Sequence, residues 1–193
     1  MRGRHLAAFA AYDTIERCNK PVVAVAHGAV VGSGGKMALA CDFIVASHAA
    51  TFRFPEPQWG TVGATQRLQR AIGKRRAKEL LFTGRAMPAE EAYRLGLVAR
   101  LADDPAAAAD EVAAIIAKAP ALAMALTKQA VDLGEEVALA TGIRIELAAI
   151  ERLLADGGWE WSASPAKAAA PPLATLGAPP VLPAAMAAPE PAA

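Results

Sequence analysis

Lys20–Ser47 reads KPVVAVAHGAVVGSGGKMALACDFIVAS, and the choice of fold is made inside it. Pro21–Ala26 (PVVAVA) is a short β-branched run bounded by proline and by His27-Gly28, the pattern of a buried strand. Gly28 to Gly35 reads as a glycine-rich turn, and Lys36 to Ala40 as a helix. Phe43 to Ala46 is a second apolar run too short for a helix. Strand, turn, helix and strand within 28 residues indicate an α/β architecture.

Upstream, Leu6, Phe9, Tyr12 and Ile15 form a helical stripe closed by Asn19, Lys20 and Pro21. Downstream, Thr51 to Phe54 reads as a strand, and Ala64 to Ile72 and Lys74 to Phe82 as helices punctuated by Gly73 and Gly84. Pro88 suits the first turn of a helix ending at Leu95-Gly96, and Leu97 to Leu101 reads as a last strand. Pro105 to Lys118 and Ala121 to Ala155 carry helical patterns, the second broken near Gly134 or Gly142. From Ser162 onward only Lys167 and Glu190 are charged, and eight of the fourteen prolines fall there. Alanine and proline bury little area and donate few hydrogen bonds, so 157–193 is expected to be a disordered tail. The expected division is therefore an α/β core over 1–101, a helical region over 102–156, and that tail.

Composition narrows the function. Across 193 residues the formal net charge is +1, with 20% charged residues of both signs, so nothing draws the chain to nucleic acid or an anionic membrane. The 54% hydrophobic fraction is swollen by 50 alanines, and no strongly apolar run reaches membrane-spanning length. Cys18 and Cys41 have no CxxC spacing, and no signal-peptide pattern opens the chain, so a reduced, cytoplasmic setting is expected. His5, His27 and His48 have no metal spacing and join no Ser/His/Asp set. Neither GxxxxGK[ST] nor GxGxxG occurs.

Three segments could carry chemistry. Gly32-Ser33-Gly34-Gly35 lies between a β run and a helix, where unpaired N–H groups and the dipole can hold an anion or an oxyanion. Taken alone, it could equally be a tight connection. Phe54-Pro55-Glu56-Pro57-Gln58-Trp59-Gly60 sets one carboxylate among prolines and aromatics, where desolvation would disfavour its charged form and suit a general acid or base. The plainer reading is a solvated surface glutamate. Lys74, Arg75, Arg76 and Lys78, with Arg67 and Arg70 upstream, could hold phosphates, but a solvated helix face accounts for them as well.

Taken in order, the stretch from Lys20 to Ser47, then ATFRFPEPQWGT (Ala50–Thr61), then TQRLQRAIGKRRAKELLFTGRAMPAEEAYRLGLV (Thr65–Val98) resemble the enoyl-CoA hydratase/isomerase (crotonase) superfamily. The resemblance runs from Lys20 to about Leu101 and continues more loosely through the C-terminal helices. It implies a spiral of ββα units, here partial, assembled as trimers or hexamers. It also implies an acyl-CoA thioester substrate whose enolate oxygen is held by two backbone N–H groups, with no cofactor beyond the CoA of the substrate. On this sequence the oxyanion donor falls at Ser33, with Gly34 beside it, and Gly32 and Trp59 border the substrate. Glu56 falls where the family places a catalytic glutamate. For Trp59 a buried structural role is the plainer expectation, with a flat substrate wall as the alternative.

Four departures from the family pattern stand out. Hydratases carry a second glutamate six residues before Asp42, and this chain has Lys36 there. Gly60 to Thr65 is a shortened loop. Only nineteen residues precede Lys20, so the first oxyanion donor and early strands are expected to be missing. The tail replaces a charged helical segment, which suggests a truncated or misplaced start and an out-of-frame end. The readings open at this point are a hydratase/isomerase and a single-glutamate isomerase working through Glu56. A lyase or hydrolase of cyclic or aromatic acyl-CoA, and an inactive fragment or assembly partner, are the others.

Overall fold

The computed structural model describes residues 2–157. The disordered-tail expectation for 158–193 lies outside them. The chain opens with α1 (Arg2–Glu16), then β1 (Val23–Ala26), β2 (Ala29–Val31) and α2 (Ser33–Ala40). A second round follows with β3 (Phe43–Ser47), β4 (Thr51–Arg53), a 3-10 turn at Pro57–Trp59 and α3 (Thr65–Ile72). Two consecutive ββα units result. They stack in parallel, β1 on β3 with Val23 opposite Phe43, and β2 on β4 with Ala29 opposite Thr51.

The remaining elements are α4 (Lys74–Thr83), β5 (Met87–Pro88), α5 (Ala89–Arg94), β6 (Arg100–Ala102), α6 (Pro105–Ile116), α7 (Ala121–Glu135) and α8 (Leu139–Ala155). One sheet has the order β1-β3-β6, all parallel, and the other β2-β4-β5, with β5 antiparallel. As the middle strand, β3 is covered on both faces, and the apolar Ile44, Val45 and Ala46 are all buried. Phe52, Leu68, Leu80 and Met87 fill the space between sheets and helices, each at most 2% exposed. Leu68 and Ile72 face this core from α3 at i,i+4 spacing while Gln66 and Arg70 point outward.

Three expectations need correction. The glycine-rich turn contains a strand: Ala29–Val31 is too short to announce itself, and pairing with β4 makes it one. Thr51 N–H donates to Gly28 O at 2.8 Å and Gly32 N–H to Arg53 O at 2.9 Å, extending that ladder at both ends. The expected strand at Leu97–Leu101 starts instead at Arg100. Leu97 and Val98 turn inward after α5, both their amides donating to Ala92 O, and are buried. Pro88 caps α5 and its chain pairs with Thr51 before the helix begins.

The outer helices are fixed by local chemistry. Tyr12 of α1 is 3% exposed beneath the Arg67 guanidinium, and Arg67 Nε donates to Glu16 Oε1 at 2.8 Å. Asp104 caps α6 by accepting from the amides of Ala106 and Ala107, with Pro105 in the first turn. Lys128 of α7 pairs with Asp42, whose other oxygen accepts Val22 N–H at 2.6 Å. The break in the long helical pattern falls at 136–138. Gly142 stays inside α8 and faces Gly134 of α7, where a Cβ would make an ordinary contact with Gly134 Cα at 3.8 Å.

Candidate active site

The site is built where β2 runs into α2 and β4 runs into the 3-10 turn. Gly32 sits at φ +52°, and a Cβ there would lie 3.5 Å from both Glu56 Oε1 and Trp59 Cζ3. Lys36 N–H makes the first helical bond, to Gly32 O at 2.9 Å. The amides of Ser33, Gly34 and Gly35 therefore have no intrahelical acceptor, and no side chain caps them. Ser33 and Gly34 are exposed, so these donors stand open at the positive end of the helix. Gly35 is buried because its missing Cβ would lie 2.6 Å from Phe54 Cε1.

Phe54, Pro55 and Glu56 are all buried, Glu56 at 3% exposure, which removes the solvated-surface reading of that carboxylate. Neither carboxylate oxygen accepts a hydrogen bond from another described residue. The one charge beside it is Lys36, whose Nζ lies 3.2 Å from Oε1; the distance is that of an ion pair, without hydrogen-bond angles. The Lys36 side chain is itself only 16% exposed. A cation in the first turn of a helix opposes the dipole. The buried carboxylate offsets that, and each charge makes the other tolerable.

The loop around Glu56 is tightly determined. Glu56 O accepts from Trp59 N–H and Thr61 N–H at 3.1 and 3.0 Å. Gly63 packs so closely that a Cβ would lie 2.8 Å from Glu56 Cγ. Ala64 follows at φ +57°, the sole non-glycine with positive φ among the described residues, and it caps α3. Gln58 donates from Nε2 to Leu81 O and Phe82 O at 3.0 and 2.9 Å, tying the loop to the end of α4. Gly84 makes room for it, since a Cβ there would lie 2.3 Å from Gln58 Oε1. Sequence reasoning gave no role to Gln58 or Gly63 and read Gly84 only as a helix end.

Trp59 corrects an expectation. It is 63% exposed, so it is no buried structural tryptophan; its ring edge lies against Gly32 at the rim of the site. Lys74, Arg75, Arg76 and Lys78 are exposed on α4, as a solvated face requires, while Arg67 pairs with Glu16 and Arg70 with Glu136. His48 lies 3.1 Å from Glu90, at the surface. A separate cleft of about 530 Å³ at the C-terminal end of α2 is bordered by Cys41. Burial, and then the charge of Asp42, push that thiol's pKa up, which does not favour the thiolate a nucleophile needs. Among the described residues no helix is long and apolar enough to cross a membrane.

This arrangement puts open backbone donors, a buried carboxylate and an aromatic rim together. The family model described as enoyl-CoA hydratase/isomerase matches residues 4–157. The chain belongs to this family. The probable enoyl-CoA hydratase of Rhizobium meliloti (strain 1021) is 39% identical over 153 residues, covering 75% of this chain and 58% of the relative. The short-chain-enoyl-CoA hydratase of Clostridioides difficile is 43% identical over 133 residues, covering 66% of this chain and 84% of the relative. Among solved structures, an enoyl-CoA hydratase from Bacillus anthracis superposes with TM-score 0.71 at 35% identity, covering 79% of this chain and 62% of that one. A Thermobifida fusca homologue solved in complex with CoA gives TM-score 0.72 at 33% identity, covering 75% and 58%. The chain spans about half the length of most of the curated relatives it matches. The crotonase-type spiral expected from the sequence is thus the observed fold, present in part.

Proposed function

We propose that the chain acts on acyl-CoA thioesters as an enoyl-CoA hydratase/isomerase, through an enolate held at the start of α2. The observation that carries this reading is Glu56: a carboxylate 3% exposed, both oxygens without a hydrogen-bond partner, beside the open amides of Ser33 and Gly34. As a proton leaves or water adds, negative charge grows on the thioester oxygen. Donors already aimed there stabilise the transition state, and losing one costs roughly 10²–10³ in rate. Glu56 is the acid/base, and Gly32 lets the thioester approach the donors. Trp59 forms part of the rim against the acyl group. The chemistry needs no cofactor beyond the CoA that the substrate carries, and nothing in it calls for nucleic acid or a membrane.

The CoA complex of the Thermobifida fusca homologue and the names of the relatives support the thioester class. A homo-oligomer, trimer or hexamer, in the cytoplasm and in fatty-acid metabolism completes the proposal. A second reading, isomerisation by Glu56 alone, is favoured by the absence of a carboxylate at Lys36. Purified protein given a short 2-enoyl-CoA and, separately, a 3-enoyl-CoA tests both. Loss of the conjugated thioester absorbance supports hydration, and its appearance from the 3-enoyl compound supports isomerisation. Folded protein that neither binds nor turns over either compound refutes the proposal.

A further inference from the structure

Lys36 occupies the position of a missing carboxylate, yet it does not leave the site. Its ammonium stands 3.2 Å from Glu56 Oε1, with the two side chains 16% and 4% exposed. An ammonium carries three donors, and lysine is among the side chains that can transfer protons in a transition state. We infer that Lys36 is the second proton-transfer group of the site, so that hydration runs on a carboxylate–ammonium pair in place of two carboxylates. The inference rests on the hydratase reading above.

The steps balance. Glu56, acting as the carboxylate of the pair, takes a proton from water as the water oxygen bonds to the β-carbon. The electron pair of the carbon–carbon double bond moves toward the thioester, giving an enolate whose oxygen faces the Ser33 and Gly34 amides. Lys36 Nζ then gives a proton to the α-carbon, breaking N–H and forming C–H. Glu56 is left protonated and Lys36 neutral. Their contact lets the proton on Glu56 return to Lys36, restoring the ion pair without exchange with bulk water. A purely structural lysine would neutralise Glu56 equally well, but it would not need an acidic proton.

That difference sets the test. Arginine keeps the charge and cannot give up its proton in a protein. Lys36→Arg, checked for fold by circular dichroism and for binding with a saturated acyl-CoA, is expected to hydrate a short 2-enoyl-CoA about 10²–10⁴-fold more slowly than the wild type. Lys36→Ala should recover part of its rate with propylammonium and none with guanidinium. Wild-type rates from Lys36→Arg, or equal rescue of Lys36→Ala by both cations, would overturn the inference while leaving the hydratase reading standing. A wild-type chain that shows no hydration overturns that reading as well.

Discussion

Replacing Gly35 with alanine puts a methyl group 2.6 Å from Phe54 Cε1 and 3.3 Å from two further atoms of the same ring. Ordinary carbon contacts lie at about 3.5–4 Å, so the ring or the helix must shift by about 1 Å. Phe54 is 1% exposed, so its ring cannot swing away without disturbing the core around it. Overpacking of this kind costs about 1–3 kcal/mol, and the tightness of the site favours the upper half of that range. Against it stands the helix preference of alanine over glycine, about 1 kcal/mol. The expected net loss for Gly35→Ala is about 1–2 kcal/mol. Gly34, one residue earlier in the same helix, has nothing within 4 Å of its would-be Cβ. Gly34→Ala should therefore gain from a few tenths to about 1 kcal/mol. Urea unfolding of both variants, followed by circular dichroism at unchanged m-value, measures the difference. Neighbouring glycines are predicted to shift the midpoint in opposite directions. A Gly35→Ala protein as stable as the wild type, or two shifts of the same sign and size, would refute the packing on which the site geometry rests.

Other perturbations test the surrounding parts. Gly63→Ala drives a methyl to 2.8 Å from Glu56 Cγ and should displace the carboxylate. A misplacement near 1 Å costs about 10²-fold in turnover, read as kcat with a short 2-enoyl-CoA, and an unchanged kcat would contradict it. Asp104→Ala removes the acceptor of two amides at the start of α6 and should cost about 1 kcal/mol in urea unfolding. The Arg85 hydrogen bond is the main cause holding the Glu91 carboxyl below its usual range. Because the folded value is depressed, this stabilisation is complete above the ordinary carboxylate range of about pH 4.3 and is lost as pH falls. Arg85→Gln should accordingly show a shallower fall in urea midpoint between pH 5 and pH 3 than the wild type (pH values approximate, about one unit either side of the carboxylate range). Parallel curves would remove the Arg85–Glu91 contribution.

The parts of the fold legible in the sequence were those whose signal is local. PVVAVA and FIVAS are apolar runs bounded by breakers, and they became β1 and the doubly buried β3. The helical pattern from Pro105 to Lys118 became α6, Pro105–Ile116. Elements that depend on distant partners were not legible. Ala29–Val31 is a strand because β4 pairs with it, twenty-two positions away in the register. Trp59 was expected to be buried, but it is 63% exposed with its ring edge against Gly32, a contact made across two separate loops. Glu56 stood out through the family resemblance; its neighbours alone pointed to a solvated glutamate, and the 3% exposure comes from tertiary packing that the sequence does not display. That Lys36 would lie against it was not visible, because the contact spans twenty residues and is made by two separate βα junctions. α8 shows the limit of periodicity: its apolar residues mark a helix, yet Leu139, Leu147 and Leu154 remain at least 50% exposed.

Glu56→Gln addresses the chemistry most directly. The amide keeps the shape of the side chain, so a folded variant should still bind CoA thioesters. With a short 2-enoyl-CoA, followed by the conjugated thioester absorbance, we expect the wild type to consume substrate and the variant to lose about 10²–10⁴-fold in rate. Turnover by Glu56→Gln at the wild-type rate would contradict the assignment of proton transfer to this buried carboxylate.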